Sequence, residues 1–403
     1  MRKQWIYLGM ALVTMMSCQR ERSVQGFVLE KRLYKFDHEI RNELEKDTVP
    51  WKAQMAVNKY TSKGNYQQAL IEWDGLFRAS NRTYAQEKID SLKRIYTPIN
   101  AKKAIVEGAK NTRVTILNEA HHNSFHRLFA KSLLKDLYDQ GYRHLGLEAL
   151  DNEAKVDTLL NERGYPITSS GYYTQDPNFS LFIREAIRLG YHVFPYEENV
   201  RAKNKFREIE QAKNIQKEME KYPEDKFLIY CGFDHVFEGA YGRKWEKAMA
   251  ERLKEFTQVD PLTINQTGYS PRSTPEKNHP LLKVFGSKES IVLKDQQGDL
   301  LGYTKGKAFT DIAVFHPAPN TIDGRLMAIN ATENQLSLKG LQLEFPVMLW
   351  VFEAADDVRS AVPIYIGEIL EAQEQVVVPL VSGSYSFALV QENNTVLIIK
   401  DKI

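Results

Sequence analysis

Between residues 101 and 270, short apolar runs alternate with amphipathic stretches, and no other feature of the chain constrains its fold as much. "RVTILNE" precedes "FHRLFAKSLLKDLYDQG", and "HLGLEAL" precedes "NEAKVDTLLNERG". Further on, "NFSLFIREAIRLG" leads into "YHVFPYEE", and the long charged stretch "RAKNKFREIEQAKNIQKEMEKY" leads into "KFLIYCGFDH". "GRKWEKAMAERLKEF" and "DPLTINQ" close the series. Strands separated by helices of this length form βαβ units, because neighbouring parallel strands need a crossover long enough to return along the sheet. Right-handed crossovers then place helices on both faces of a mostly parallel sheet, so an α/β fold is expected for residues 101–270.

The flanks read differently. Residues 27–100 space their apolar positions helically in "KFDHEIRNELEKD", "WKAQMAVNKYTSK", "NYQQALIEWDGLFRAS" and "YAQEKIDSLKRIY", with breaks at Pro50, Gly64 and Pro98. They predict a helical N-terminal segment. After the polar stretch "TGYSPRSTPEKNHP", residues 288–403 show β-branched alternation and turn signals, as in "QLEFPVMLWVFEA" and "VVVPLVSGSYSFALV". A β-rich, sandwich-like C-terminal domain is expected there. With a formal net charge of +2 over 403 residues, the chain offers no concentrated basic face, and nucleic acid is not an expected partner.

Four strands of the middle region end in acids or imidazoles. "VTILN" ends in Glu119, His121 and His122, "HLGLE" in Glu148, "HVFPY" in Glu197 and Glu198, and "FLIYCGFDH" in Asp234 and His235. In an open parallel sheet these ends share one edge, and ligands bind in the crevice beyond it. Residues distant in sequence therefore converge on one cleft. Carboxylates and imidazoles so gathered can ligate a metal or move protons to and from a water or a substrate hydroxyl. His126 lies one helical turn beyond His122, beside Phe125 and Leu128, where ligation and packing are both open to it. His144 and His192 begin strands, at the opposite edge, and read as structural. His38, His279 and His316 read as surface or linker residues. Cys231, inside "KFLIYCGF", reads as a buried inert thiol. The chain has no Gly-x-Ser-x-Gly elbow, no His-Glu-x-x-His helix and no phosphate loop.

The segment "VTILNEAHHNSFHRLFAKSLLKDLYDQGYRHLGLEAL" resembles the opening of the superfamily that joins erythromycin esterases, ChaN-type haem-binding lipoproteins and TIKI/TraB-type proteins. Gly232-Phe233-Asp234-His235 resembles its later Gly-x-x-His segment, and "NFSLFIREAIRLGYHVFPYE" its intervening helix and strand. The resemblance spans roughly residues 100–270, with Asn118 where the family has glycine. It implies that Glu119, His121 or His122, Glu148 and His235 are catalytic, with His126, Glu197 and Asp234 lining a cofactor or substrate. The esterase pattern selects His122, and the ChaN and TIKI patterns select His121. Three readings follow, the third resting on the helical and β-rich flanks that the resemblance does not cover. The first is a hydrolase of ester or peptide bonds, acting on a small molecule or peptide and with a divalent metal such as Zn or Mn on Glu119, His121 and His235 in the TIKI-like case. The second is a haem- or metal-binding protein of iron acquisition, and the third a non-catalytic docking protein.

At the N-terminus, Arg2 and Lys3 precede the apolar run "QWIYLGMALVTMMSC". A basic start, a short apolar core and a small residue before the cut describe a signal peptide. Ser17-Cys18 resembles a bacterial lipobox, which implies removal of residues 1–17, acylation of Cys18 and a tether over residues 18–26. Gln19 after the cysteine directs the expectation to the outer membrane, with the cell envelope as the address and a lipid anchor as the membrane contact.

Overall fold

The computed structural model describes residues 24–76, 82–197, 203–242, 244–327 and 330–403. Cys18 and Glu198 lie outside the described residues. The protein is a mixed α/β structure built on an eight-stranded sheet and a separate, antiparallel five-stranded one.

The strands of the larger sheet run in the spatial order Thr97–Asn100, Ile291–Lys294, Ile312–Phe315, Leu262–Tyr269, Val114–Glu119, Lys226–Gly232, Tyr142–Leu147 and His192–Pro195. The six from Ile312–Phe315 onward pair in parallel, and the first two are antiparallel additions. Every residue of Val114–Glu119 is buried, which is why "VTILN" reads as an unbroken apolar run: a central parallel strand is covered on both faces. One face packs against the helices Ala101–Gly108, Phe125–Asp139 and Pro177–Leu189, through Leu133, Leu134, Leu137, Phe182 and Ile183. The other packs against Lys205–Lys221 and Met249–Thr257, through Ala212, Ile215 and Leu253.

Local signals fix the crossover helices. Asp176 accepts a hydrogen bond from the Asn178 amide at the start of the Pro177–Leu189 helix, and Pro177 fills its first position, where a missing N–H costs nothing. That helix stops at Gly190, whose φ of 98° suits glycine alone. The Phe125–Asp139 helix begins where Asn123 Oδ1 takes the Phe125 amide at 3.2 Å.

The large sheet runs past the limits expected for the α/β domain. Thr97–Asn100 comes from the helical N-terminal stretch, while Ile291–Lys294 and Ile312–Phe315 come from the stretch read as β-rich. Edge strands of four residues carry too little pattern to declare their sheet. Beyond them, the five-stranded sheet joins Gln25–Val28, Thr395–Lys402, Ser384–Gln391, Val347–Glu353 and Tyr365–Ile369. The ribbon of Thr332–Ser337 and Gln375–Leu380 covers one side of it through Leu336, Val376 and Val378. The N-terminal strand thus completes the C-terminal sheet. Buried Lys63 ties the N-terminal helices to it through Asp37 at 2.7 Å and through Glu368, and Arg184 grips Asp356 with two nitrogens at 3.0 and 2.8 Å.

Candidate active site

Four parallel strands deliver their C-terminal residues to one edge. Val114–Glu119 ends in Glu119, Tyr142–Leu147 is followed by Glu148, His192–Pro195 by Glu197, and Lys226–Gly232 by the turn that carries His235. Asn118 shows how the first of these ends is held. Its Oδ1 takes the Gln266 amide at 2.8 Å, and its Nδ2 donates to the Phe233 carbonyl at 2.6 Å. The side chain thus bridges neighbouring strand ends where the backbone ladder stops.

Glu119 is buried and wholly committed. Arg127, itself buried one turn into the following helix, donates Nε to Oε2 at 2.7 Å and Nη2 to Oε1 at 2.8 Å. Burial alone would raise the Glu119 pKa, but this bidentate guanidinium holds it far below the usual carboxylate range. Arg127 also donates to Asp176 Oδ2 at 2.5 Å and to the His121 carbonyl at 2.9 Å. Its remaining donors thus bind the turn and the next helix to the same centre.

His121 completes the pair. Its Nδ1 lies 2.9 Å from Glu119 Oε1. A carboxylate only accepts, so Nδ1 carries the proton and Nε2 of the neutral ring keeps its lone pair. Tyr173 stacks on the imidazole at 3.9 Å between centroids, and burial raises its phenol to about 12. The free edge of the ring lies against Gly232. A Cβ there would come within 2.5 Å of Nε2 and 2.4 Å of Cε1, while standing 3.5 Å from Glu148 Oε1. Glycine is required at 232 by this close approach.

A second cluster faces that edge. Glu148 accepts the Gly232 amide at 2.6 Å through Oε2 and Arg207 Nη2 at 2.8 Å through Oε1. Burial favours its neutral form, but His235, Arg207, His121 and the Gly232 amide outweigh it and bring the pKa down to about 2. His235 sits between carboxylates, with Nδ1 2.8 Å from Glu208 Oε2 and Nε2 3.6 Å from Glu148 Oε1. Burial lowers its pKa, Glu148 and Glu208 raise it, and the net direction is upward. Arg207 Nη1 approaches the same Nε2 at 2.8 Å and also holds Glu197. Trp245 stacks on His235 at 4.9 Å.

The remaining sequence candidates fall elsewhere. His122 is stacked at 3.9 Å on Trp73, from the N-terminal helices, and lies near Phe233. Burial lowers its pKa well below 6.5. His126 points inward: Nδ1 takes the Ala120 amide at 3.0 Å, Nε2 lies 2.5 Å from Ser270 Oγ, and burial depresses its pKa. It braces the turn, with no ring nitrogen left over for a cofactor. Asp234 binds Tyr241 and Lys305. Of the eight candidates within the described residues, Glu119, His121, Glu148, Glu197 and His235 are therefore gathered, and His122, His126 and Asp234 take supporting positions around them. Cys231 has a buried thiol whose pKa is pushed well up.

The residues expected to hold a metal do not fit one as arranged. Both Glu119 oxygens serve Arg127, and both His235 nitrogens serve Glu208 and Arg207. Among the described residues no group of three or more His, Cys, Asp or Glu side chains is placed to hold a metal ion. Nor does His121 suit a haem iron, since its free nitrogen faces Gly232 and a carboxylate instead of an apolar slot.

Sequence reasoning missed Arg127, Asp176, Tyr173, Arg207 and Glu208. Only Asp176 carried a signal, the Asp-Pro that starts a helix.

No family model and no curated protein matches the chain. Among solved structures, it is similar to the type III effector HopBA1, at 15% identity over 46% of this chain and 94% of that one, with a TM-score of 0.32. It is also similar to RRSP, a MARTX toxin effector domain from Vibrio vulnificus, at 16% identity and a TM-score of 0.28, covering 51% of this chain and 45% of that one. A third is the C-terminal region of Pasteurella multocida toxin, at 9% identity over 87% and 54%, with a TM-score of 0.31. The chain spans about half the length of the latter two. Likenesses this distant carry no argument about the chemistry of this site.

Proposed function

We propose that the protein hydrolyses an ester or peptide bond, with His121 as general base. The observation that carries this reading is the 2.9 Å contact between His121 Nδ1 and a Glu119 that Arg127 keeps ionised. The pair is an oriented imidazole whose basic nitrogen faces Gly232 and the Glu148 side, the relation of carboxylate to histidine being the one found in hydrolytic triads. A water beside Nε2 gives that nitrogen its proton as its oxygen bonds to the substrate carbonyl carbon. The carbonyl electron pair moves onto oxygen, where the positive charge of Arg207 stabilises it. Collapse expels the alcohol or amine, which takes the proton back from His121. Glu148 keeps Arg207 and His235 in place. The resemblance of residues 100–270 to the erythromycin esterase, ChaN and TIKI/TraB superfamily supports the assignment of Glu119, His121, Glu148 and His235.

The test is turnover of p-nitrophenyl acetate and of a mixed peptide library by the purified protein, beside His121→Asn and Glu119→Gln. Hydrolysis that falls at least about a hundredfold in His121→Asn supports the reading. Full turnover in that variant ends it, and no hydrolysis of either class would favour a docking protein.

The address belongs to the same proposal. Supported by the basic start, apolar run and Ser17-Cys18 of the sequence, we infer a lipid anchor at Cys18 in the outer membrane. Metabolic labelling with a palmitate analogue should mark the wild type and leave Cys18→Ala unlabelled. Equal labelling of both contradicts it.

A further inference from the structure

A cavity of about 780 Å³ opens between the α/β body and the C-terminal strands, away from the cluster around His121. Its walls come from the Phe125–Asp139 helix, the Pro177–Leu189 helix, residues 353–355 and the turn between Gln375–Leu380 and Ser384–Gln391. Leu181, Ile364, Pro379 and Leu380 give it an apolar floor, and Val381 at the mouth is 46% exposed. This volume suits one small organic molecule, and sites of this kind favour the junction of two domains.

Four cations line it. Lys102 is paired with Asp136, Lys135 with Asp139, and Arg188 with Glu185 and Glu353. Lys131 is different. It is half-buried on the cavity wall, and among the described residues its ammonium has no hydrogen bond or ion pair. Glu185 and Glu353 attract it only from a distance, Arg188 repels it, and burial lowers its pKa. A lysine drawn from water without a partner is a cost to the fold. An alanine or methionine on the same helix face would avoid that cost.

We propose that this cavity binds a monocarboxylate with an aliphatic body, the carboxylate on Lys131 and the chain along Leu181, Ile364 and Leu380. The carboxylate supplies the partner that the ammonium lacks, and the floor removes the chain from water. The site is independent of the reading given to His121.

Calorimetric titration of the full chain with decanoate, and separately with decanol, tests it. Saturable one-to-one binding of decanoate is expected, at least tenfold tighter than decanol. Lys131→Met should weaken decanoate tenfold or more, leave decanol unchanged and keep or raise the thermal midpoint, since it removes an unpaired, half-buried charge. Lys131→Arg should retain binding. Three results would overturn the proposal: no saturation by decanoate, equal affinity for acid and alcohol, or a Lys131→Met protein that binds decanoate like the wild type. A lower midpoint for Lys131→Met would also count against it, because the charge would then serve the fold.

Discussion

The two edges of the large sheet each carry a pair of histidines, and they are built on different terms. At the strand starts, His144 Nε2 meets Asp225 at 2.8 Å and His192 lies 3.7 Å from Glu218. His192 and Asp225 are both open to water there, with side chains 46% and 39% exposed. At the strand ends, His121 and His235 meet Glu119 and Glu208, carboxylates that are 2% and 1% exposed. Arg127 then holds Glu119 and Arg207 holds Glu148, while Glu208 accepts the Met249 amide at 2.9 Å. The same residue types thus make ion pairs shared with solvent at one edge and a closed, ordered array at the other. Buried carboxylates this close are tolerable only with matched donors, and a matched array holds an imidazole in one orientation.

The comparison breaks most severely at Arg127. Replacing it by Met strands Glu119 and Asp176, and denaturant unfolding should show a loss of about 3–5 kcal/mol, the cost of an uncompensated buried charge. His144→Ala should cost far less. Next is Gly232→Ala, whose methyl would need the space of the His121 edge. Displacing the base by about an ångström should lower turnover roughly a hundredfold, while Gly141→Ala, at the strand-start edge, should leave turnover unchanged.

A third test uses pH. Glu148 falls from 4.5 to about 2 on folding, so the unfolded chain binds more protons between those values. Its stabilisation is present above about 4.5 and fades as pH drops toward 2. His235 is raised on folding, so its contribution is full below 6.5 and declines as pH rises through the folded value. A stability profile from pH 2 to 9 should show both limbs, and His235→Gln should flatten the upper one. The smallest effect belongs to His192→Ala, which should change turnover by less than twofold and stability by under about 0.5 kcal/mol.

How much of this was legible in the sequence follows from the physics of each element. The strand ends were legible because period and length identify a parallel strand, and topology then places Glu119, Glu148, Glu197 and His235 together. The choice between His121 and His122 was not, since both follow the same strand. The two are set apart by a turn that folds residue 121 back on Glu119 and sends 122 under Trp73. Arg127 and Arg207 were hidden for another reason. Each sits on an amphipathic helix among other charges, and periodicity marks a face without showing which cation turns inward to a buried acid. The strands Thr97–Asn100 and Gln25–Val28 join partners almost two hundred or more residues away, a pairing that no local pattern announces.

The account rests on one hydrogen bond, from His121 Nδ1 to Glu119. Nitrogen-15 NMR of the histidine rings, with His121 assigned by its disappearance in His121→Asn, reads that bond directly. For the neutral ring the account predicts a proton on Nδ1 and a bare Nε2, a preference that Glu119→Gln abolishes or weakens. A neutral His121 protonated on Nε2, or a tautomer indifferent to Glu119→Gln, would contradict it.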